Sequence, residues 1–327
     1  MNEESLTRAA QMLRAGDVVA FPTETVYGLG ANALDGDAVK KIYRTKGRPA
    51  HNPLIVHVAS VDQARELVAD WPQQAEKLAA AFWPGPISLV LRRNPARQIP
   101  DIVTAGGDTI AIRLPQHPVA RKLIELSGCP LAAPSANASN RISPTQANHV
   151  LASLGGRIPL VLDGGGTNAG IESTVVDLTG DVARILRPGS VTALDIRKVL
   201  YAKVTEKASD KRPETLKSPG QLEVHYAPVT PLWLFGYGDI DGIRSGIEQL
   251  SAQGKVAIVA ISESVNSACG ITVAMPADAS GYARELYRVL HDLDSRGLTT
   301  ILWELPPDDT EWTGVRDRLS RAGKPFV

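Results

Sequence analysis

The chain has 327 residues, of which 43% are hydrophobic and 21% charged, a composition that predicts a globular protein large enough for two domains. Its 35 basic residues balance its 35 acidic ones, which excludes a protein that coats nucleic acid and leaves room only for a weak, local tRNA or RNA contact. Cys129 and Cys269 stand far apart without metal-ligand spacing, which fits a reducing cytoplasm better than a disulfide framework or a zinc site. No run approaches the ~20 apolar residues of a membrane helix, so no membrane partner is expected.

Residues 1–200 alternate helical and strand-forming patterns. Short apolar or β-branched runs predict strands at residues 18–21, 54–58, 88–92, 109–113, 131–133, 160–162, 173–177 and 183–186. Helical spacing of apolar residues predicts helices within residues 1–16 and at 37–43, 61–70, 73–82, 118–126 and 192–200. Several strands follow one another without an intervening helix, which favours a mixed, twisted sheet with flanking helices over a purely parallel one.

A polar stretch over residues 201–219 has the composition of a linker, and a second α/β alternation begins after residue 230. The predicted organisation is a catalytic domain at residues 1–200, a linker at 201–229 and a smaller, Rossmann-like C-terminal domain at 230–327. The predicted elements of that last domain are strands at 232–235, 256–261 and 299–303 and helices at 240–250, 283–293 and 312–322.

Polar and basic residues stand where the predicted strands begin or end. They are Thr25 in the run Thr23-Glu24-Thr25, Arg113, Ser135, Ser173 and Arg187. An arginine at the end of a buried strand suits a carboxylate ligand, and small polar residues let backbone N–H groups approach an anion. A capped turn at residues 23–25 remains the alternative interpretation of the first of these positions.

A basic run, Lys46-Gly47-Arg48, precedes Asn52 and the strand that ends at His57. A lysine and an arginine together suit a polyphosphate, although a solvated turn for the run and a structural role for His57 remain open. The sequence has no Walker, nucleophile-elbow or zinc-protease motif. The residues by themselves indicate a nucleotide-using transferase or ligase that works by positioning and charge neutralisation.

Eight motifs in chain order resemble the Sua5/YrdC/YwlC family of threonylcarbamoyl-AMP synthases, in its long form with a C-terminal Sua5 domain. The motifs are FPTETVYGLG, KGRPxxNPL, FWPGPISLVL, IAIRLP, PSAN, STVVDL, RPG and the tail pair SPG…HYAP. They span essentially the whole chain, and the resemblance implies a YrdC-like mixed twisted sheet followed by a smaller α/β domain.

The resemblance implies an ATP-dependent nucleotidyltransferase of the cytoplasm. Its substrates are L-threonine, bicarbonate or CO₂, and ATP accompanied by Mg²⁺, and its products are L-threonylcarbamoyladenylate and pyrophosphate. The adenylate then passes to downstream threonylcarbamoyl-transferase proteins, which form N6-threonylcarbamoyladenosine at position 37 of tRNAs that read ANN codons.

The resemblance also implies residue roles, carried over motif by motif. The threonine-binding residues are Thr25, His57, Arg113, Ala133 and Ser173. The ATP-binding residues are Arg48, Asn52, Thr109, Ser135, Ser143, Arg187 and, from the linker, Tyr226. Lys46 and Arg48 are expected to act in catalysis by neutralising phosphate charge, and no metal is expected to be ligated directly by the protein.

The linker departs from the family pattern. The family usually has SPGM and then basic and aromatic residues before HYAP, whereas this chain has Gln221-Leu222-Glu223-Val224. The alternative functions are an RNA-binding module, which the zero net charge disfavours, and a carbamoyl-transfer module of the same fold. Carbamoyltransferases of that type carry acylphosphatase-like and zinc-finger segments, which this sequence lacks.

Overall fold

The computed structural model describes residues 3–206, 217–219, 225–262 and 271–326. The predictions for Gly220, for the segment 221–224 and for Cys269 lie outside these residues. The chain forms two compact units, one of Met1–Ser139 with Ser143–Leu222, the other of Asn140–Ile142 with Glu223–Val327. None of the helices in the described ranges is long and apolar enough to cross a membrane.

The first unit contains eight helices and eight strands among its described residues. The helices are α1 (Glu3–Arg14), α2 (Gly36–Lys46), α3 (Val61–Glu66), α4 (Gln73–Phe82), α5 (Asp101–Thr104), α6 (Pro118–Ser127), α7 (Ala147–Leu154) and α8 (Ala193–Leu200). The strands are β1 (Val19–Phe21), β2 (Gly28–Asn32), β3 (Ile55–His57), β4 (Ile87–Arg92), β5 (Thr109–Arg113), β6 (Leu131–Ala132), β7 (Thr174–Asp177) and β8 (Arg184–Arg187).

These strands form one mixed sheet in the order β1-β2-β6-β3-β5-β4-β7-β8, which confirms the predicted fold class. β3 pairs with β5 in parallel and β4 with β7 in parallel, while the other neighbouring pairs are antiparallel. The antiparallel pairing of β4 with β5 brings the start of β4 to the same edge of the sheet as the end of β5.

The two faces of the central strands have different surroundings because side chains alternate along a strand. Val56, Leu89 and Ile112 point into the main core, which also contains the apolar faces of helices α2 and α4. On the opposite face, four buried residues and the partly buried Leu186 form a small apolar cluster. Its buried members are Ile55, Val90, Ala111 and Val175, and we call it the site-face cluster.

Two segments of the first unit differ from the prediction. Residues 28–32 form strand β2, where no strand was predicted. A side chain at Gly30 would place its Cβ 2.6 Å from the ring of Phe21, so the glycine is required for β1 and β2 to pack together. Residues 160–162 contribute only an isolated bridge between Val161 and Ala20 instead of a strand.

Helix α2 is longer than predicted and contains Lys46, which was placed in a loop. Val39, Ile42 and Tyr43 lie on the buried face of the helix, and Lys46 follows them at the same helical spacing. The helix ends at Gly47, whose φ of 63° is left-handed and whose N–H bonds to the carbonyls of the last turn.

The second unit has a parallel sheet in the order β11-β10-β12-β9-β13. Its strands are β9 (Leu232–Phe235), β10 (Val256–Ala260), β11 (Ile271–Ala274), β12 (Thr300–Glu304) and β13 (Lys324–Pro325). Its helices are α9 (Ile240–Leu250), α10 (Ala279–Asp294) and α11 (Thr313–Ala322), with short 3₁₀ turns at Ser251–Gln253 and Thr310–Trp312. Glu304, at the end of β12, is fully buried and accepts hydrogen bonds from the backbone of Gly238, Ile261 and Ser262.

Candidate active site

A row of three polar side chains crosses adjacent strands next to the site-face cluster. The strand registers place His57 of β3 opposite Arg113 of β5, and Arg113 next to Ser88 of β4. Each of the three stands two positions from a member of the site-face cluster, so all three point to its face. All three are buried, which in a sheet interior marks polar groups with a specific partner or ligand.

Arg113 is the centre of a buried network with the loop that follows β1. Its Nη1 donates to Thr25 Oγ1 at 2.8 Å, and its Nη2 lies 2.6 Å from Glu24 Oε1. Thr25 Oγ1 in turn lies 2.9 Å from Thr23 Oγ1. Burial by itself raises the pKa of Glu24, but the charge of Arg113 and the hydrogen bonds to the carboxylate outweigh it and lower that pKa. Glu24 is therefore ionised at neutral pH.

His57 is neutral in this environment. Burial is the main cause that lowers the pKa of His57 to about 3, and the neighbouring charge of Arg113 adds to it. Its ring packs edge-on against Phe21 at a centroid distance of 6.2 Å. A neutral imidazole can donate or accept a hydrogen bond to a ligand hydroxyl without adding charge to the site.

Ser173 joins this row from the start of β7. Its Oγ lies 2.8 Å from Ser88 Oγ, and Arg187 donates to both its carbonyl oxygen and its Oγ. A Cβ on Gly189 would lie 2.5 Å from the backbone nitrogen of Thr174, so only glycine lets the RPG turn approach this segment. Arg187, predicted for the nucleotide, is thus bound to the threonine set through Ser173.

A second cluster of cations lies around the end of helix α2. Lys46 Nζ donates to the backbone carbonyls of Ser135 and Asn137. Burial lowers the pKa of Lys46 well below its ordinary value, the charges of Arg48 and Arg157 lower it further, and Glu172 opposes them. An anion brought to this position would offset the repulsion between these cations and stabilise the charged form of Lys46, which suits a phosphate.

Arg48, Asn52 and Thr109 are brought together by the loop before β3. Arg48 donates from Nε to the carbonyl of Asn52 at 3.0 Å and from Nη2 to that of Pro53 at 2.8 Å. Thr109 is the first residue of β5, the parallel neighbour of β3 that this loop precedes. The side-chain amide of Asn52 is 1% exposed and has no hydrogen-bond partner within the described residues, as expected for a group that contacts a ligand.

The remaining predicted residues are placed as follows. Ser143 Oγ donates to Glu172, the carboxylate that acts on Lys46. Ala133 is buried, and its N–H bonds to the carbonyl of Ile55. Tyr226 lies in the second unit, where its ring is 5.3 Å from the guanidinium carbon of Arg318. Its φ of 64° is left-handed, a strained conformation for a tyrosine that costs on the order of 1 kcal/mol.

Three site residues were not among those assigned to a substrate, although Glu24 belongs to the run 23–25 that the sequence places near a ligand. Ser88 could have been found as the single polar residue in the otherwise apolar run 87–91. Glu24 stands between two threonines of a motif, but only the fold shows that its carboxylate meets Arg113. Glu172 precedes Ser173, and its contact with Ser143 depends on loops far apart in the chain. In the described ranges no group of three or more His, Cys, Asp or Glu side chains could hold a metal ion.

Comparison with known proteins gives matches over nearly the whole chain. The Sua5/YciO/YrdC family model, described as telomere recombination, matches residues 11–189. The model described as the C-terminal domain of threonylcarbamoyl-AMP synthase matches residues 191–323.

Three relatives illustrate the similarity. The threonylcarbamoyl-AMP synthase of Pyrococcus abyssi is 43% identical, with 98% of this chain and 95% of that protein covered. The enzyme of the same name from Bacillus subtilis is 41% identical, with 98% and 93% covered. The crystal structure of P. abyssi Sua5 complexed with L-threonine superposes with a TM-score of 0.89 at 41% identity, and covers 99% of this chain and 97% of that one. The chain therefore belongs to the Sua5-type threonylcarbamoyl-AMP synthases, a family of enzymes.

Proposed function

We propose that this chain condenses L-threonine, bicarbonate or CO₂, and ATP into L-threonylcarbamoyladenylate, with release of pyrophosphate. The observation that carries the proposal is the pair of polar clusters on one face of β3 and β5. Arg113 and His57 stand at the ends of these strands, and Thr109 and the Arg48–Asn52 loop at their beginnings. Thr109 and Arg113 are four positions apart in β5, which corresponds to about 13 Å along the strand.

The cluster around Arg113 suits an amino acid. A guanidinium binds a carboxylate through two parallel hydrogen bonds, and Thr25 and Ser173 supply hydroxyls next to it. The neutral ring of His57 completes the row without a competing charge. Ala133 lines the same face by the alternation of β6.

The cluster around Lys46 suits the phosphates of ATP. When the carbamate oxygen of threonine attacks the α-phosphorus, the bond to pyrophosphate breaks and negative charge grows on the leaving oxygens. Lys46 and Arg48 are placed to stabilise that charge. Asn52, Thr109, Ser135, Ser143 and Arg187 are proposed contacts of the nucleotide.

Mg²⁺ enters this proposal as part of the MgATP substrate. The two carboxylates of the site have other partners, Glu24 in the ion pair with Arg113 and Glu172 in the hydrogen bond from Ser143. Their arrangement fits a metal that is carried by the phosphates.

The proposal also includes a cytoplasmic location, downstream threonylcarbamoyl-transferase proteins as recipients, and a role for Tyr226 as a nucleotide contact.

The test is pyrophosphate release by the purified full chain with ATP, Mg²⁺, L-threonine and bicarbonate, combined with mass spectrometry of the adenylate. We expect release that depends on both threonine and bicarbonate. Release at the same rate without threonine, or no adenylate of the expected mass, would refute the proposal.

Two substitutions separate the clusters. Arg48→Ala should mainly weaken ATP binding, and Arg113→Ala should mainly weaken threonine binding. Arg97→Ala, which removes an exposed arginine paired with Glu66, is the matched control and should change neither. If Arg48→Ala and Arg113→Ala leave both affinities unchanged, the residue assignment is wrong.

A further inference from the structure

The ion pair between Glu24 and Arg113 is nearly inaccessible to solvent. The side chain of Glu24 is 5% exposed and that of Arg113 is 4% exposed. An ion pair taken out of water is a weak source of stability, because desolvation offsets the attraction between the charges. A function in ligand binding explains its presence better.

The charge of Arg113 and the charges in direct contact with it sum to zero; Arg187, the next cation, reaches this row only through its hydrogen bonds to Ser173. Glu24 is the carboxylate in contact with the guanidinium. The remaining contacts of Arg113, with Thr25 and the carbonyl of Gly85, are neutral. His57, its neighbour on β3, is neutral as well. A ligand with a carboxylate alone would bring a net negative charge into this buried place, whereas a zwitterion would leave it balanced.

We propose that Glu24 binds the α-ammonium group of threonine while Arg113 binds the carboxylate, so that the pair recognises the zwitterion. The inference rests on the proposed function and extends it, because it assigns a specificity-determining role to a residue outside the predicted set. The ammonium and carboxylate of an α-amino acid are attached to the same carbon and therefore lie close together. The side chains of Glu24 and Arg113 are similarly close, with their nearest atoms 2.6 Å apart.

Glu24 is held in the orientation that this role needs. Its Oε2 accepts a hydrogen bond from the N–H of Gln116 at 3.0 Å, and its backbone carbonyl accepts one from Ala169 at 2.8 Å. Its Oε1 lies 2.6 Å from Arg113 Nη2 and has no other donor among the described residues. A carboxylate oxygen has two lone pairs, so Oε1 can accept a hydrogen bond from an ammonium group while it keeps its contact with Arg113.

The test compares two ligands that differ only in the group at Cα. L-Threonine carries an ammonium there, and (2S,3R)-2,3-dihydroxybutanoate carries a hydroxyl. Calorimetric titration of the wild-type chain should give much tighter binding of threonine. In Glu24→Gln, threonine should bind on the order of 10- to 100-fold more weakly, the range of a hydrogen bond to a charged group. The dihydroxybutanoate should bind equally well or better, because the repulsion between two carboxylates is gone.

The opposite responses of the two ligands distinguish a direct contact from an effect on Arg113. If Glu24 merely orients the guanidinium, Glu24→Gln weakens both ligands by the same factor, and the inference is wrong. Glu24→Asp keeps the charge at a shorter reach and should weaken threonine more than the dihydroxybutanoate. If Glu24→Gln does not fold, Glu24→Asp takes its place in the test. Equal weakening of threonine and the dihydroxybutanoate in Glu24→Asp also overturns the inference. Glu76→Gln, an exposed carboxylate on α4, is the control and should change neither affinity.

The same experiment separates this inference from the proposed function. If the wild-type chain binds threonine and releases threonine-dependent pyrophosphate while the ligand ratio is unchanged in Glu24→Gln, only the role of Glu24 falls. If the wild-type chain binds no threonine and releases no pyrophosphate, the proposed function falls and the inference with it.

Discussion

Replacement of Arg113 by methionine gives the sharpest test of the electrostatics in the first unit. The substitution keeps an unbranched side chain of similar length but removes the charge, the hydrogen bond to Thr25 and the contact with Glu24. Glu24 is then a buried carboxylate without a cation. Breaking a buried ion pair on one side costs about 3–5 kcal/mol. For a unit of this size that corresponds to a fall in Tm of roughly 6–20 °C.

The cost should depend on pH, and its sign follows from the pKa of Glu24. In the wild-type chain that pKa is lowered, so the pair stabilises the fold above pH 4.5, the ordinary value, and this stability is lost as the pH falls through the lower, folded value. In Arg113→Met, burial raises the pKa because no cation opposes it. A raised pKa leaves the fold stable at low pH and destabilises it as the pH rises through the new value. The difference between the two proteins should therefore be smallest below the lowered pKa of Glu24, grow as the pH rises through 4.5, and be largest above pH 7.

Urea unfolding at a series of pH values measures this difference. The control is the double variant Arg113→Met with Glu24→Gln, in which neither member of the pair is charged and much of the loss should be recovered. Two results would contradict the reasoning: a loss below about 1 kcal/mol at pH 7.5, or a loss that does not change between pH 4.5 and pH 7.5.

Three further outcomes are expected. Asn52→Leu should leave the free energy of unfolding unchanged or higher, because the buried amide has no partner within the part of the chain that the structure describes, while ATP binding weakens about tenfold or more; unchanged ATP affinity in titration would contradict this. Gly189→Ala should destabilise the first unit by about 1–3 kcal/mol through contact with the backbone of Thr174, whereas Gly180→Ala, with open space around it, should not, as thermal unfolding can show. Glu304→Ala should lower the Tm of the second unit and regain part of it with added formate, since three backbone N–H donors are left without their carboxylate; no response to formate would refute that explanation.

Much of the fold could be predicted because its elements are locally encoded. Strand β5 has the predicted bounds of 109–113, and helix α4 those of 73–82. Both are runs whose apolar pattern has one clear period. Strand β2 was missed because residues 28–32 are glycine-rich and lack the local pattern of a strand. The glycine at position 30 is explained only by packing, since a side chain there would meet the ring of Phe21.

The features of the candidate site also divide into those that local sequence determines and those that depend on long-range contacts. The sequence by itself determined the family and the chemical types of the site residues, because motifs such as FPTETVYGLG and KGRPxxNPL are local strings. Only the tertiary structure decided which side chains meet. Arg113 reaches Glu24 and Ser88 because β4 runs antiparallel to β5 and the loop after β1 crosses their face. Strand order, register and loop path depend on contacts between residues far apart in the chain, and no local pattern specifies them.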